Sequence, residues 1–194
     1  MDLSTFFDFE FAEHLDVARR TQTALRGKFE ELTAACTTCL SAGGKLMLFG
    51  NGGSAADAQH LATELTVRYK QDRAAISAIA LTTDTSALTA VGNDLGFERI
   101  FARQIEALGR QGDIALAIST SGTSPNVVAA LRQARAMGLV TAAFSGKGGG
   151  ELINLADHLL VVPSNTTARI QEMHITLGQM LCGAIEIELG LVSH

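Results

Sequence analysis

Five short, continuously apolar runs punctuate this chain, at 45–49, 76–81, 114–118, 140–144 and 158–162. Their hydrophobicity does not alternate, so strands built from them need cover on both faces, the condition of a parallel sheet. The stretches Ala55–Tyr69, Glu98–Leu108 and Asn126–Met137 between them read as helices. Strands separated by helices imply an α/β fold, a doubly wound three-layer sandwich around a five-stranded parallel sheet. Two longer helical patterns flank this core. One runs over about 10–41, with a break expected near Gly27, and the other over about 167–189, where Ile170, His174, Leu177, Leu181 and Ile185 share an apolar face. The expectation is one domain over 1–194 with its core at 45–165. Helices that long at the margins of a modest domain commonly serve subunit packing, so a homo-oligomer is expected.

Composition narrows the functional classes. With 194 residues, 47% of them hydrophobic, and only 2 prolines, the chain can bury a core without disulfides. A net charge of −5 without a basic stripe argues against direct nucleic-acid binding. No apolar run reaches membrane-span length, and the acidic start lacks the basic region of a signal peptide, so a cytoplasmic location without membrane association is expected. Cys36 and Cys39 form a C-x-x-C inside a helical stretch instead of after a strand, and read as small buried hydrophobes.

The most informative segment for chemistry is Phe49-Gly-Asn-Gly-Gly-Ser54, which leads from the first strand into a helix. Unpaired N–H groups and the positive end of the dipole at such a helix start attract anionic oxygens, and Ser54 is a candidate N-cap. On the same helix His60 and Glu64 are four residues apart and share a face. An imidazole beside a carboxylate suits acid–base work or metal binding, and equally a surface ion pair. A second loop, Ile118-Ser-Thr-Ser-Gly-Thr-Ser-Pro-Asn126, places five hydroxyl residues near a strand end and helix start, suited to a phosphate. Pro125 fits the first helical position. A third loop, Ser145-Gly-Lys-Gly-Gly-Gly-Glu151, is explained by its glycines as a tight turn, although Lys147 could add an anion contact.

Taken together with Asp84, Gly92-Asn-Asp94 and Arg169-Ile-Gln-Glu-x-His174, these motifs resemble the phosphoheptose isomerases of the sugar isomerase (SIS) domain family, over roughly residues 10–189. The resemblance implies a flavodoxin-like SIS fold and an aldose–ketose conversion of sedoheptulose 7-phosphate to a glycero-manno-heptose 7-phosphate, for the heptose of lipopolysaccharide. It further implies a homotetramer with sites at subunit interfaces and zinc. Mapped onto this chain, it gives Asn51, Gly52, Gly53, Glu64, Asn93, Asp94, Ser119, Thr120, Ser121, Ser124 and Gln171 to the sugar-phosphate substrate. Glu64 becomes the base that moves a proton through an enediol, and His60 a metal ligand.

One position departs from the family pattern. Members usually carry a histidine eight residues after the glutamine of the R-I-Q-E motif, and here that position is Gln179. A zinc site would then comprise His60, Glu64, Gln171 and Gln179, with Glu64 and Gln179 at the catalytic positions. On an ideal helix Gln171 and Gln179 are separated by about 80° and can face one pocket. An amide orients a hydroxyl but relays no proton, so either His174 is recruited as the acid or a metal-bound water serves, with His174 then packing in the helix interface. Two alternatives to an enzyme are a non-catalytic SIS tetramer that binds the replication initiator protein and a phosphosugar-binding module.

Overall fold

A computed structural model describes residues 2–193. Helix α1 (Leu3–Ser41) leads to strand β1 (Leu46–Gly50), followed by α2 (Gly53–Thr66), β2 (Ala78–Ala80) and α3 (Thr85–Asp94). Helix α4 (Ala102–Leu108), β3 (Ile114–Ser119), α5 (Pro125–Ala136), β4 (Val140–Ser145), β5 (His158–Val161) and α6 (Thr167–Glu188) complete the chain. Short 3-10 segments lie at Phe97–Arg99 and Lys147–Asn154.

All four strand pairings are parallel and the sheet order is β2-β1-β3-β4-β5, the flavodoxin-like arrangement. The continuous apolar runs have a simple cause, because both faces are covered. Leu46, Leu48, Ile114, Leu116, Ile118 and Phe144 pack under α1, α2 and α6. Met47, Phe49, Ala115, Ala117 and Ala143 pack under the opposite layer with Ile105, Val127 and Leu131. Burying a Leu or Phe side chain fully contributes roughly 1.5–3 kcal/mol, so this double cover dominates the stability of the core.

Three boundaries differ from the sequence expectation. Helix α1 is continuous through Gly27 and starts at Leu3, capped by the Asp2 carboxylate, which accepts from Thr5 N. Gly27 is exposed with nothing near it, and the helix continues because Leu25 and Leu32 on either side are buried. The segment 98–108 is a 3-10 turn followed by the shorter α4. Helix α3 was not expected; Asp84 caps it by accepting from Ala87 N at 2.9 Å, and only Val91 on it is buried.

The two long helices meet along one side of the molecule. Arg169, at the start of α6, donates to Glu10 on α1 at 3.0 Å and to Glu172, which also contacts His14 at 2.8 Å. Deeper in the same layer α6 lies close on α2, where a side chain at Gly178 would begin 2.4 Å from Leu61 Cδ1. Only a glycine allows that approach.

Candidate functional site

The strand order reverses between β1 and β3, which leaves a crevice beyond their carboxyl ends. The loops after these two strands face each other there. Asn51 and Asn126 exchange two amide hydrogen bonds of 2.8 Å each across the gap. Asn126 escaped the sequence reading; it stands in the Ser-Pro-Asn opening of α5, where only its partner across the sheet gives it meaning.

The N-cap of α2 is Gly52, and Ser54 is buried in the first turn, so the expected capping role of Ser54 does not hold. Gly53 lies under α6, with Gln171 Nε2 2.9 Å from where a side chain at 53 would begin. In the Ser/Thr loop, Ser119 Oγ accepts from Gly122 N at 3.2 Å. Ser121 Oγ accepts from Thr123 N and from the Thr123 hydroxyl at 3.3 and 3.1 Å. Among the described residues no hydrogen bond engages the Thr120 or Ser124 hydroxyl, and Ser124 precedes the α5 start without a side-chain cap. Free hydroxyls next to a helix N-terminus are suited to an anionic oxygen.

The third loop backs the second. Gly122 has φ +67°, and a side chain on it would begin 2.1 Å from the Gly149 carbonyl oxygen. Glu151 N donates to the Gly122 carbonyl at 2.9 Å, closing the two loops onto each other. Lys147 is exposed, consistent with a structural turn at this point.

Farther along α2, His60 Nε2 lies 3.0 Å from Glu64 Oε1 and 2.6 Å from the Gln179 side-chain amide of α6. The Glu64 side chain is 20% exposed and that of His60 48%, so the pair is open to a ligand. The structure thus joins three of the four expected metal-site residues, while Gln171 lies eight residues earlier on α6, beside Gly53. Among the described residues no group of three His, Cys, Asp or Glu side chains converges on a metal position. From Gly53 to Glu64 is eleven residues of helix, about 16 Å of rise, so the carboxylate stands well along α2 from the phosphate-suited loops.

Asn93 and Asp94 lie at the end of α3, where Asn93 donates to Asp94 at 2.6 Å and both are exposed. Among the described residues no hydrogen bond joins either to the strand-end loops. His174 is fully buried, donates Nε2–H to the Ser145 carbonyl at 3.1 Å and lies 6.1 Å from the Phe144 ring. Burial pushes its pKa down to about 4 against a smaller opposing effect of that hydrogen bond. It is a packing residue and is not placed to act as the acid. The three cysteines are free and buried, as the C-x-x-C reading anticipated.

The SIS domain model matches residues 11–146. Over 186 residues, covering 96% of this chain and 97% of the relative, the chain is 59% identical to the phosphoheptose isomerase of Paramagnetospirillum magneticum. The solved structure of the phosphoheptose isomerase from Neisseria gonorrhoeae superimposes with a TM-score of 0.91 at 41% identity, covering 96% of this chain and 100% of that one. That of Francisella tularensis gives 0.90 at 36%, with the same coverage. The chain belongs to the SIS-domain family and, within it, to the phosphoheptose isomerases.

Proposed function

We propose that this protein isomerises sedoheptulose 7-phosphate to D-glycero-D-manno-heptose 7-phosphate through an enediol, and so contributes to lipopolysaccharide heptose biosynthesis. The observation that carries this reading is the contact chain Glu64–His60–Gln179 between α2 and α6, partly open to solvent. In this reading, the Ser119–Ser124 loop receives the phosphate, while Asn51, Gly52, Gly53, Asn93, Asp94 and Gln171 bind the sugar. Glu64 takes a proton from C1 and returns it to C2, and a proton passes from the C1 hydroxyl oxygen to the C2 oxygen. Gln179 orients a hydroxyl through its amide without relaying that proton.

Two arrangements satisfy the atoms around His60 Nε2. Either a proton on it is shared between Glu64 and the Gln179 carbonyl oxygen, or three lone pairs face a cation; the amide orientation differs from neither by more than a flip. The set therefore fits zinc held by His60, Glu64 and Gln179, with Gln171 at the loop end, though one imidazole and amide oxygens bind it less tightly than two histidines would. Bound there, zinc would supply polarisation of the sugar carbonyl.

We further propose a homotetramer whose sites draw on neighbouring subunits. Supporting this are the exposed Phe6, Phe7, Phe9 and Phe11 on α1 and an apolar cleft of about 570 Å³ between α1 and α6 that includes Leu15, Met173 and Met180. The length of helix between Glu64 and the strand-end loops, and the isolation of Asn93 and Asp94, point the same way. No helix is long and apolar enough to cross a membrane, and the reading places the enzyme in the cytoplasm.

The test is Glu64→Gln assayed with sedoheptulose 7-phosphate. Loss of the base should lower kcat by about 10²–10⁴-fold and leave the oligomer intact. An unchanged rate would remove Glu64 from the mechanism.

A further inference from the structure

The residues of the proposed chemistry come from two helices, His60 and Glu64 from α2 and Gln171 and Gln179 from α6. The helices run in the same direction. Gln171 lies by Gly53, Gln179 meets His60, and Glu186 meets the segment that follows α2. At this last contact stands a buried ion pair outside the residues assigned to the substrate. Arg73 Nε donates to Glu186 Oε1 at 2.8 Å, and the two side chains are 1% and 2% exposed.

The remaining guanidinium donors are directed at main chain. Nη2 donates to the Glu64 carbonyl oxygen at 2.6 Å, and Nη1 to the carbonyls of Val67 and Ala74 at 3.1 Å each. Glu186 Oε1 also accepts from Tyr69 N at 3.1 Å. The last carbonyls of a helix lack partners within it, and Arg73 supplies one at the residue whose carboxylate is the proposed base. A buried ion pair is poor glue, since well-packed apolar side chains of similar volume often hold a structure as well. Apolar side chains cannot, however, grip a carbonyl from a fixed direction.

We propose that Arg73 and Glu186 are positioning residues for the base: anchored by Glu186 on α6, Arg73 holds the Glu64 main chain and thereby sets where its carboxylate stands relative to His60 and Gln179. The proposal rests on the isomerase reading of Glu64 and extends it to a pair 113 residues apart in sequence.

The test uses the full-length protein with two variants, Arg73→Lys and the double change Arg73→Met with Glu186→Leu. Each is measured for melting temperature, kcat and KM with sedoheptulose 7-phosphate, inhibition by inorganic phosphate, and the ring-nitrogen NMR resonances of His60. The apolar double variant should melt near the parent, since neither partner is left as a lone buried charge. Its kcat should fall by about 10²-fold, the expected effect of a base misplaced by about 1 Å, with KM and phosphate inhibition changed by less than about two-fold. The His60 resonances should shift, and Arg73→Lys, which keeps the pair but loses the fork, should fall between. A folded double variant with parental kcat and unmoved His60 resonances would overturn the proposal. Should the double variant not fold, the same two readouts on Arg73→Lys decide in the same sense. If the parent itself fails to turn over the sugar phosphate, the isomerase reading falls. The His60 resonances then still decide the positioning role, shifted signals supporting it and unmoved signals overturning it.

Discussion

Replacing Gly122 by alanine tests whether the Ser/Thr loop takes its shape from the glycine turn behind it. At φ +67° an L-residue costs roughly 1–2 kcal/mol from local sterics alone. The new Cβ would lie 2.1 Å from the Gly149 carbonyl oxygen and 2.6 Å from its carbon, so backbone must move, at about 1–3 kcal/mol more. That movement pulls on the hydrogen bond from Glu151 N to the Gly122 carbonyl, 2.9 Å long, worth about 1 kcal/mol. The whole comes to about 3–6 kcal/mol, or roughly 6–24 °C in melting temperature at this chain length. Gly148→Ala is the internal control, because Gly148 has φ +80° and nothing within 4 Å of a new Cβ. It should cost only the local strain, about 2–8 °C. Differential scanning fluorimetry of both variants, with and without inorganic phosphate, separates the effects, and phosphate should protect the control far better than Gly122→Ala. Equal melting of the two variants would refute the claim that the loops are mutually templated.

Two further outcomes are expected. Gln179→His puts an imidazole where an amide now stands 2.6 Å from His60 Nε2, so kcat should rise by about 10-fold or more and zinc should bind more tightly by calorimetry; equal rates would mean the oxygen-to-oxygen proton transfer never depended on this position. His174 has a folded pKa of about 4 against 6.5 unfolded, so between these values the unfolded chain binds the extra proton. Stability from this residue is complete near pH 7 and lost as pH falls toward 4, by about 3 kcal/mol. Melting temperature followed over that range should show the slope in the parent and lose it in His174→Gln.

The sheet was readable because its inner strands β1, β3 and β4 are covered on both faces, which leaves a short unbroken apolar run such as Leu46–Phe49 or Ile114–Ile118. The strand-end loops were readable through their glycines and hydroxyls. Helix α3 was not, because one buried residue, Val91, leaves no periodic stripe; its only local signal is the Asp84 cap. The first two turns of α1 were hidden for a related reason, since their phenylalanines are exposed and follow no face toward this chain's core. Within the candidate site, the His60–Glu64 pairing follows from spacing on one helix. The Gln179 contact, the Asn51–Asn126 exchange and the Arg73–Glu186 pair depend on distant segments meeting, and nothing local at 73 or 186 announces it.

Placing α6 along α2 also limits how far this protein can be trimmed. A fragment ending at residue 146, where the match to the SIS model stops, would retain both strand-end loops. It would lose the fifth strand and every α6 side chain that reaches His60, Gly53 or Arg73. Such a piece would at most be a receptor for phosphate without the means to hold its carboxylate in place, and a functional miniature of this enzyme would have to carry the final helix with it.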